Sequence, residues 1–482
     1  MGRLKVVFLI FLLWIPILLI ACDKRNVPEE NMPVNTIDST NKEATNTDMP
    51  NMEEGNTEKG NTEKGNTEKG NTEKGNTEKG NTEKGNTEKG NTEDGSKEKV
   101  NEENAANIVS LDELLSSCTY LTKEMYERAT AYKEGDLARI AAAMRKARDG
   151  KKVTIGVIGG SITQGYSATQ YSNSYASLLK KWWENTFPDA EVEFINAGVG
   201  GTSSYLGVHR VYEDLLVQEP DFVVVEFSVN DGNNIFYKKS YDNLVRRILK
   251  DENNPAVVLL FMTMEDGTSA QDIDANIGFQ YGLPMISYRN AVLEEVDKNN
   301  LAWSDISPDD IHPSDRGHAI IGELFSVYLT SIFNKLDTIS TEVTPFELSP
   351  VTKEVYLEAA ILDSTEIEPV KWGSFEKKSI SYTYPNDWGT ENGEDSIVFS
   401  VEAANIGIMF QKFTNGAGGQ YEVFVDGEYA MTLDADFTNG WGDYGECTEV
   451  YVAQDKKERT IEIKKKEGST GAAFAILGLL IS

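Results

Sequence analysis

Four short apolar runs, Val153 to Ile158, Val192 to Ile195, Phe222 to Phe227 and Val257 to Met262, recur through the middle of the chain. Each is followed by polar or glycine-rich residues and then by apolar positions three and four apart. Short runs rich in Val, Ile and Phe predict strands buried on both faces, and the longer spacing predicts helices between them. The helical pattern is clear at Leu137, Ile140, Ala141, Met144 and Ala147, opened by Asp136 and stopped by Gly150. It returns at Tyr175, Leu178, Leu179, Trp182 and Trp183, and in the amphipathic stretch Ala319 to Phe333. Such alternation predicts a three-layer α/β domain with a parallel sheet over residues 105–336, its loops converging at the carboxyl ends of the strands.

From about Thr341 the pattern shortens to period two. Strands are predicted at Ser379 to Thr383, Ile397 to Val401, Ile406 to Phe410, Tyr421 to Val425, Thr460 to Lys464 and Ala473 to Leu480, separated by turns such as Asp426-Gly427 and Asn439-Gly440. An all-β sandwich of jelly-roll type over 341–482 accounts for them.

The amino-terminal patterns differ from both. Arg3 and Lys5 precede an apolar run from Val6 to Ile20, which ends in Leu19-Ile20-Ala21-Cys22. This resembles the lipobox of bacterial lipoproteins and implies cleavage before Cys22 and lipid on its thiol, with residues 1–22 as signal peptide. The alternative is an uncleaved signal anchor; both place the remainder outside the cytoplasm, the first on the outer face of the membrane. Residues 23–104 are polar, and Gly55 to Lys89 is seven unbroken copies of Gly-Asn-Thr-Glu-Lys, with an eighth ending in Asp94. A five-residue period without an apolar member has nothing to bury, so a disordered tether is expected, with an r.m.s. span of roughly 50 Å.

The formal charge of −32 argues against nucleic acid as a partner. Besides Cys22 there are only Cys118 and Cys447, far apart, which predicts two buried free thiols and no disulfide framework. With three histidines in 482 residues, and no metal-ligand spacing, neither a metal nor another cofactor is expected.

The chemistry lies in the loops. Gly159-Gly160-Ser161-Ile162-Thr163 follows the first strand, which puts the Ser161 hydroxyl at the carboxyl edge of the sheet. Asn196 to Ser204, including Gly200-Gly201, follows the second, and Ser228-Val229-Asn230-Asp231 follows the third. Near the domain's end, Asp309 stands three residues before His312 in a loop stiffened by Pro308 and Pro313. A carboxylate at that spacing can bond the near imidazole nitrogen, fixing the tautomer and leaving the other nitrogen to accept a serine proton. Each residue also has a plainer reading: Ser161 as a helix cap, Asn230 as a turn residue, Asp310 as orienter instead of Asp309. His318 and His209 are expected to pack or hydrogen-bond within helices.

Taken in order, these four blocks resemble the SGNH (GDSL-type) hydrolase family across residues 130–336. Gly160 stands where the namesake motif has Asp, and Ser228 stands where the G-x-N-D block has Gly. The resemblance implies a flavodoxin-like α/β fold and a serine esterase. Ser161 would be the nucleophile, His312 the base and Asp309 its orienter; the N–H groups of Ser161 and Gly201 and the amide of Asn230 would form the oxyanion hole. With no carboxylate beside it, Ser161 would be activated by His312 and Asp309 alone.

The stretches around Gly135 to Gly165, Phe222 to Asp231 and Trp303 to His318 are similar to SGNH esterases that deacetylate polysaccharides, which implies an acetylated glycan as substrate. No long apolar lid separates the blocks, as an interfacial lipase would need. Tyr166, Tyr171, Tyr205 and Phe236 are candidate sugar-stacking residues or ordinary rim and core aromatics. The carboxyl-terminal part is similar to β-rich modules of carbohydrate esterases at Val425-Asp426-Gly427 and Leu433 to Trp441, and Trp372, Trp388 and Trp441 are candidates for a glycan platform or for core. Two alternatives to the deacetylase are a lipase or thioesterase, and a non-catalytic glycan-binding lipoprotein.

Overall fold

A computed structural model describes residues 109–482 apart from 133 and 344; the lipobox, Cys22 and the repeats lie outside the described residues. The helices are α1 (Leu111–Ser116), α2 (Lys123–Ala129), α3 (Ala138–Arg148), α4 (Ser161–Gln164), α5 (Tyr175–Thr186), α6 (Ser204–Asp214), α7 (Ile235–Leu249), α8 (Gln271–Tyr281), α9 (Tyr288–Asp297), α10 (Trp303–Ile306) and α11 (Asp315–Asn334). They surround a parallel sheet of β1 (Val153–Gly159), β2 (Val192–Gly198), β3 (Phe222–Glu226), β4 (Ala256–Phe261) and β5 (Met285–Ser287), in the order β2-β1-β3-β4-β5. The chain leaves β1 for one edge and returns on its other side, so a crevice opens where β1 and β3 end.

Alternate residues of the strands face opposite layers. Phe222, Val224, Val258 and Leu260 join the cluster that holds α3, α5 and α11, whereas Val223, Val225, Val257 and Leu259 join the one that holds α6, α7 and α8. This is the expected three-layer arrangement. The fifth strand, Met285–Ser287, has three residues and leaves no readable pattern.

The β domain comprises β6 (Ala360–Leu362), β7 (Glu376–Lys378), β8 (Asp387–Thr390), β9 (Ile397–Lys412), β10 (Gln420–Val425), β11 (Glu428–Asp434), β12 (Tyr444–Lys465) and β13 (Phe474–Ile481). Two predicted strands, Ile397 to Val401 and Ile406 to Phe410, are one 16-residue strand. Its pairing with β12 slips between Val452 and Lys457 opposite Ala403 to Asn405, an irregularity that bends the pair without ending it. Thr460 to Lys464 is only the end of the 22-residue β12. Ser379 to Thr383 is not a strand: the ladder stops at Lys378, and the Ile380 N–H goes to the Asp387 carboxylate at 2.6 Å. Tyr421 of β10 stacks on Phe474 of β13 at 4.2 Å although the strands are not neighbours, which marks the packing of one layer on the other.

The sandwich core and the α6–α7 side of the α/β domain form one hydrophobic cluster. Polar clamps reinforce the joint. Asp242 accepts from the Thr352 N–H and hydroxyl at 2.7 Å, Asn243 accepts from the Val355 and Tyr356 N–H groups, and Lys239 pairs with Glu449 at 3.1 Å. At Gly407 of β9 a Cβ would approach the Tyr205 hydroxyl of α6 to 2.2 Å, so glycine permits this contact. Cys118 and Cys447 are free, and both are partly exposed where full burial was expected. Among the described residues no helix is long and apolar enough to cross a membrane.

Candidate active site

β1 ends in Gly159, and the chain turns through Gly160 into the short helix α4, whose first residue is Ser161. The turn leaves no room for side chains. A Cβ on Gly159 would lie 2.2 Å from the Thr163 hydroxyl, and one on Gly160 would lie 2.3 Å from Asn230 Oδ1. A Cβ at 160 would therefore displace the Asn230 side chain from its present place.

Ser161 Oγ lies 2.9 Å from His312 Nε2, and His312 Nδ1 lies 2.8 Å from Asp309 Oδ2. The other Asp309 oxygen accepts the N–H groups of Ile311 and His312 at 2.8 and 2.6 Å, which winds the loop around the carboxylate. Burial alone would raise this carboxyl, but those N–H groups and the imidazole outweigh it and hold Asp309 below the usual carboxylate range. Its negative charge fixes a proton on Nδ1 and frees Nε2 as acceptor. The carboxylate bonded to the imidazole is that of Asp309, while the backbone carbonyl of Asp310 accepts the Glu265 N–H at 2.9 Å.

Gly201 adopts φ +71°, a left-handed conformation suited to glycine, and the preceding Gly200 N–H is taken by Gln164 Oε1 at 3.0 Å. Gln164 thus ties the glycine loop to the nucleophile helix. Asn230 sits in a turn closed by its own N–H and that of Asp231 on Phe227 O, both at 2.9 Å. Ser228 has a structural task of its own, its hydroxyl bridging the backbone of Met262 at the end of β4. Asp231 Oδ1 accepts the Ser204 N–H at 2.9 Å and so joins the Asn230 turn to the start of α6.

His318 and His209 are satisfied elsewhere. His318 Nδ1 accepts from the Tyr175 N–H at 3.3 Å, and its Nε2–H donates to Tyr166 O at 3.2 Å; burial lowers its pKa. His209 donates from Nδ1 to Tyr205 O, and burial pushes it down to about 4. Of the four aromatics, Tyr205 is buried and Phe236 packs beside it, while Tyr166 and Tyr171 are exposed. Trp388 is core and Trp372 packs half-buried on it, so the three tryptophans form no common platform. Trp441 alone is exposed, at 71%, stacked on Tyr444, and its Cη2 would meet a Cβ on Gly201 at 3.2 Å.

Three carboxyls are buried behind the crevice: Asp231 of the third block, and Glu226 and Asp274, which the sequence reading did not single out. Glu226 accepts from the Thr163 hydroxyl at 3.0 Å, and burial pushes its pKa up to about 7; burial does the same for Asp231 and holds Asp274 well above the usual carboxylate range. Glu226 had a signal, as a lone charge in the wholly buried strand β3. Among the described residues no group of acidic, His or Cys side chains is arranged to hold a metal. The folded pKa values of Glu226 and Asp231 exceed the unfolded ones, so the stability they contribute is complete below about pH 4 and is lost as pH rises through about 7. The melting temperature is expected to fall between pH 5 and 8, with Glu226→Gln removing roughly 3 kcal/mol of that dependence. Thermal melts of both proteins across this range check it.

The GDSL-like lipase/acylhydrolase family model matches residues 157–320. Two crystal structures of a two-domain esterase active on acetylated mannans, one with mannopentaose, align at 31% identity over 74% of this chain and 97–98% of theirs, with TM-scores of 0.67 and 0.68. Thioesterase 1/protease 1/lysophospholipase L1 of Escherichia coli (strain K12) is 29% identical over 98 residues, which cover 20% of this chain and 44% of that protein. Since the two-domain relative aligns over nearly its whole length, and the family blocks carry the Ser161–His312–Asp309 geometry, the chain belongs to the GDSL-like lipase/acylhydrolase family and is a carboxylic ester hydrolase.

Proposed function

We propose that this protein is a surface-anchored serine esterase that removes O-acetyl groups from polysaccharides through an acyl-enzyme on Ser161. The observation that carries the mechanism is the continuous chain from Ser161 Oγ through His312 to Asp309, with bonds of 2.9 and 2.8 Å. Ser161 Oγ attacks the acetyl carbonyl as its proton passes to His312 Nε2, and Asp309 stabilises the imidazolium. The oxyanion is met by the N–H groups of Ser161 and Gly201 and by Asn230 Nδ2. Collapse expels the sugar alcohol, protonated by His312; water, activated by the same imidazole, then frees acetate and regenerates Ser161.

Two observations support an acetylated glycan. The relative that matches both domains acts on acetylated mannans, and here the β domain presents the exposed Trp441 ring beside Gly201. A sugar face can pack on such a ring within reach of the nucleophile. Acetate release from acetylated mannan, xylan and pectin, with a chain-length series of nitrophenyl esters, tests this. Acetate is expected from mannan, with kcat/KM falling from acetate to octanoate, and Trp441→Ala is expected to raise KM on the polymer about tenfold. Activity that rises toward octanoate would favour the lipase or thioesterase reading and contradict the deacetylase.

Anchoring rests on Arg3, Lys5, the run Val6 to Ile20 and Leu19-Ile20-Ala21-Cys22. A lipid on Cys22 would hold the enzyme on the outer face of the cell membrane, with residues 23–104 as spacer to the substrate. Cys22→Ala is expected to abolish incorporation of radiolabelled palmitate; unchanged labelling would contradict the anchor.

A further inference from the structure

A tyrosine outside the four family blocks borders the reacting bond. The Tyr166 ring lies 4.5 Å, centroid to centroid, from the His312 imidazole, yet 58% of the residue is exposed, so it adds little to the core. Its backbone is held at both ends: the Tyr166 N–H donates to Ser161 O at 3.0 Å, and Tyr166 O accepts from His318 Nε2–H. The next residue, Ser167, adopts φ +67°, a left-handed conformation that the loop sustains. Beyond it, Asp315 of α11 accepts from the Thr169 N–H at 2.8 Å, the Thr169 hydroxyl at 2.6 Å and Asn173 Nδ2 at 2.9 Å. The base loop and the Tyr166 loop therefore hang on the same helix, His312 just before α11 and the grips, Asp315 and His318, in its first turns.

Position against the imidazole decides what the ring can touch. A histidine that takes the serine proton and returns it to the leaving oxygen must lie beside the alcohol half of the ester. Gly201 and Asn230, the proposed oxyanion donors, belong to the loops that follow β2 and β3, and Trp441 stands with Gly201. A ring beside His312, on a backbone held at both ends, thus flanks the alcohol half of the ester. We infer that Tyr166 is a specificity-determining residue for the alcohol half of the ester, packing its ring against the sugar that carries the acetyl group.

This deepens the deacetylase reading and rests on it for the identity of the alcohol. The test compares wild type, Tyr166→Phe and Tyr166→Ala on acetylated manno-oligosaccharide, 1-naphthyl acetate and methyl acetate, with nitrophenyl acetate and butyrate as an acyl control. Tyr166→Ala is expected to lower the ratio of kcat/KM for ring-bearing alcohols over methyl acetate about tenfold, through KM, while Tyr166→Phe restores it. The acetate-to-butyrate ratio is expected to hold within twofold. A changed acyl ratio with an unchanged alcohol ratio would overturn the inference, as would equal losses on every ester. If wild type hydrolyses naphthyl and methyl acetate but not the oligosaccharide, the glycan reading fails, and the naphthyl-to-methyl ratio still decides the role of Tyr166.

Discussion

Replacing Ser161 by alanine is expected to lower kcat for an acetate ester by roughly 10⁵-fold with KM little changed. Every other group in the proposed cycle acts on this hydroxyl: His312 takes its proton, Asp309 holds the imidazole, and the N–H donors await the oxyanion it creates. Removing the hydroxyl leaves the donors and the binding surface, which give only residual catalysis. Because Ser161 is half-buried at the first position of a four-residue helix that has no side-chain cap bond, the substitution is expected to leave the melting temperature within a few degrees. Steady-state kinetics on nitrophenyl acetate together with a thermal melt separate lost chemistry from lost fold. A loss below tenfold would mean that another group attacks the ester.

Gly160→Ala is expected to cost about 10² to 10³ in kcat, comparable to the loss of one oxyanion donor. Its Cβ would come within 2.3 Å of Asn230 Oδ1, 2.8 Å of Cγ and 3.0 Å of Nδ2, so the amide must leave its place. Asn230 has little freedom to move and return, since its turn is pinned to Phe227 O and its neighbour Asp231 to the Ser204 N–H. The loss should therefore be shared with Asn230→Ala: the double variant is expected to be no slower than the worse single one by more than about threefold. Multiplied losses, measured as kcat on the same ester, would show that Gly160 and Asn230 act independently. Gly160→Asp would meet the same contact and add a charge beside the oxyanion.

The candidate-site blocks were legible because three of them follow strands that are themselves readable apolar runs. Ser161, Gly201 and Asn230 follow β1, β2 and β3 directly, and the three-residue spacing of Asp309 and His312 survives as two bonds to one carboxylate. What escaped was determined by contacts distant in sequence. Gln164 matters through Gly200, 36 residues away, and Trp441, itself a candidate in the sequence, is set apart from the other tryptophans by a glycine 240 positions earlier. Asp274 matters through burial, which no local pattern records, whereas Glu226 stands as a lone charge in the apolar run of β3. In the β domain, alternation breaks at the bend near Asn405, so one long strand read as two, and β5 and β6 are too short to show a period.

The central claim is that Ser161 is the residue acylated during turnover. Incubation of the protein with a fluorophosphonate, followed by digestion and mass spectrometry, tests it most directly. The account predicts one phosphonyl group per chain, on the peptide that contains Ser161, with activity falling in proportion and labelling slowed at least a hundredfold in His312→Ala. A fully inactivated protein that carries its label on another residue would contradict it.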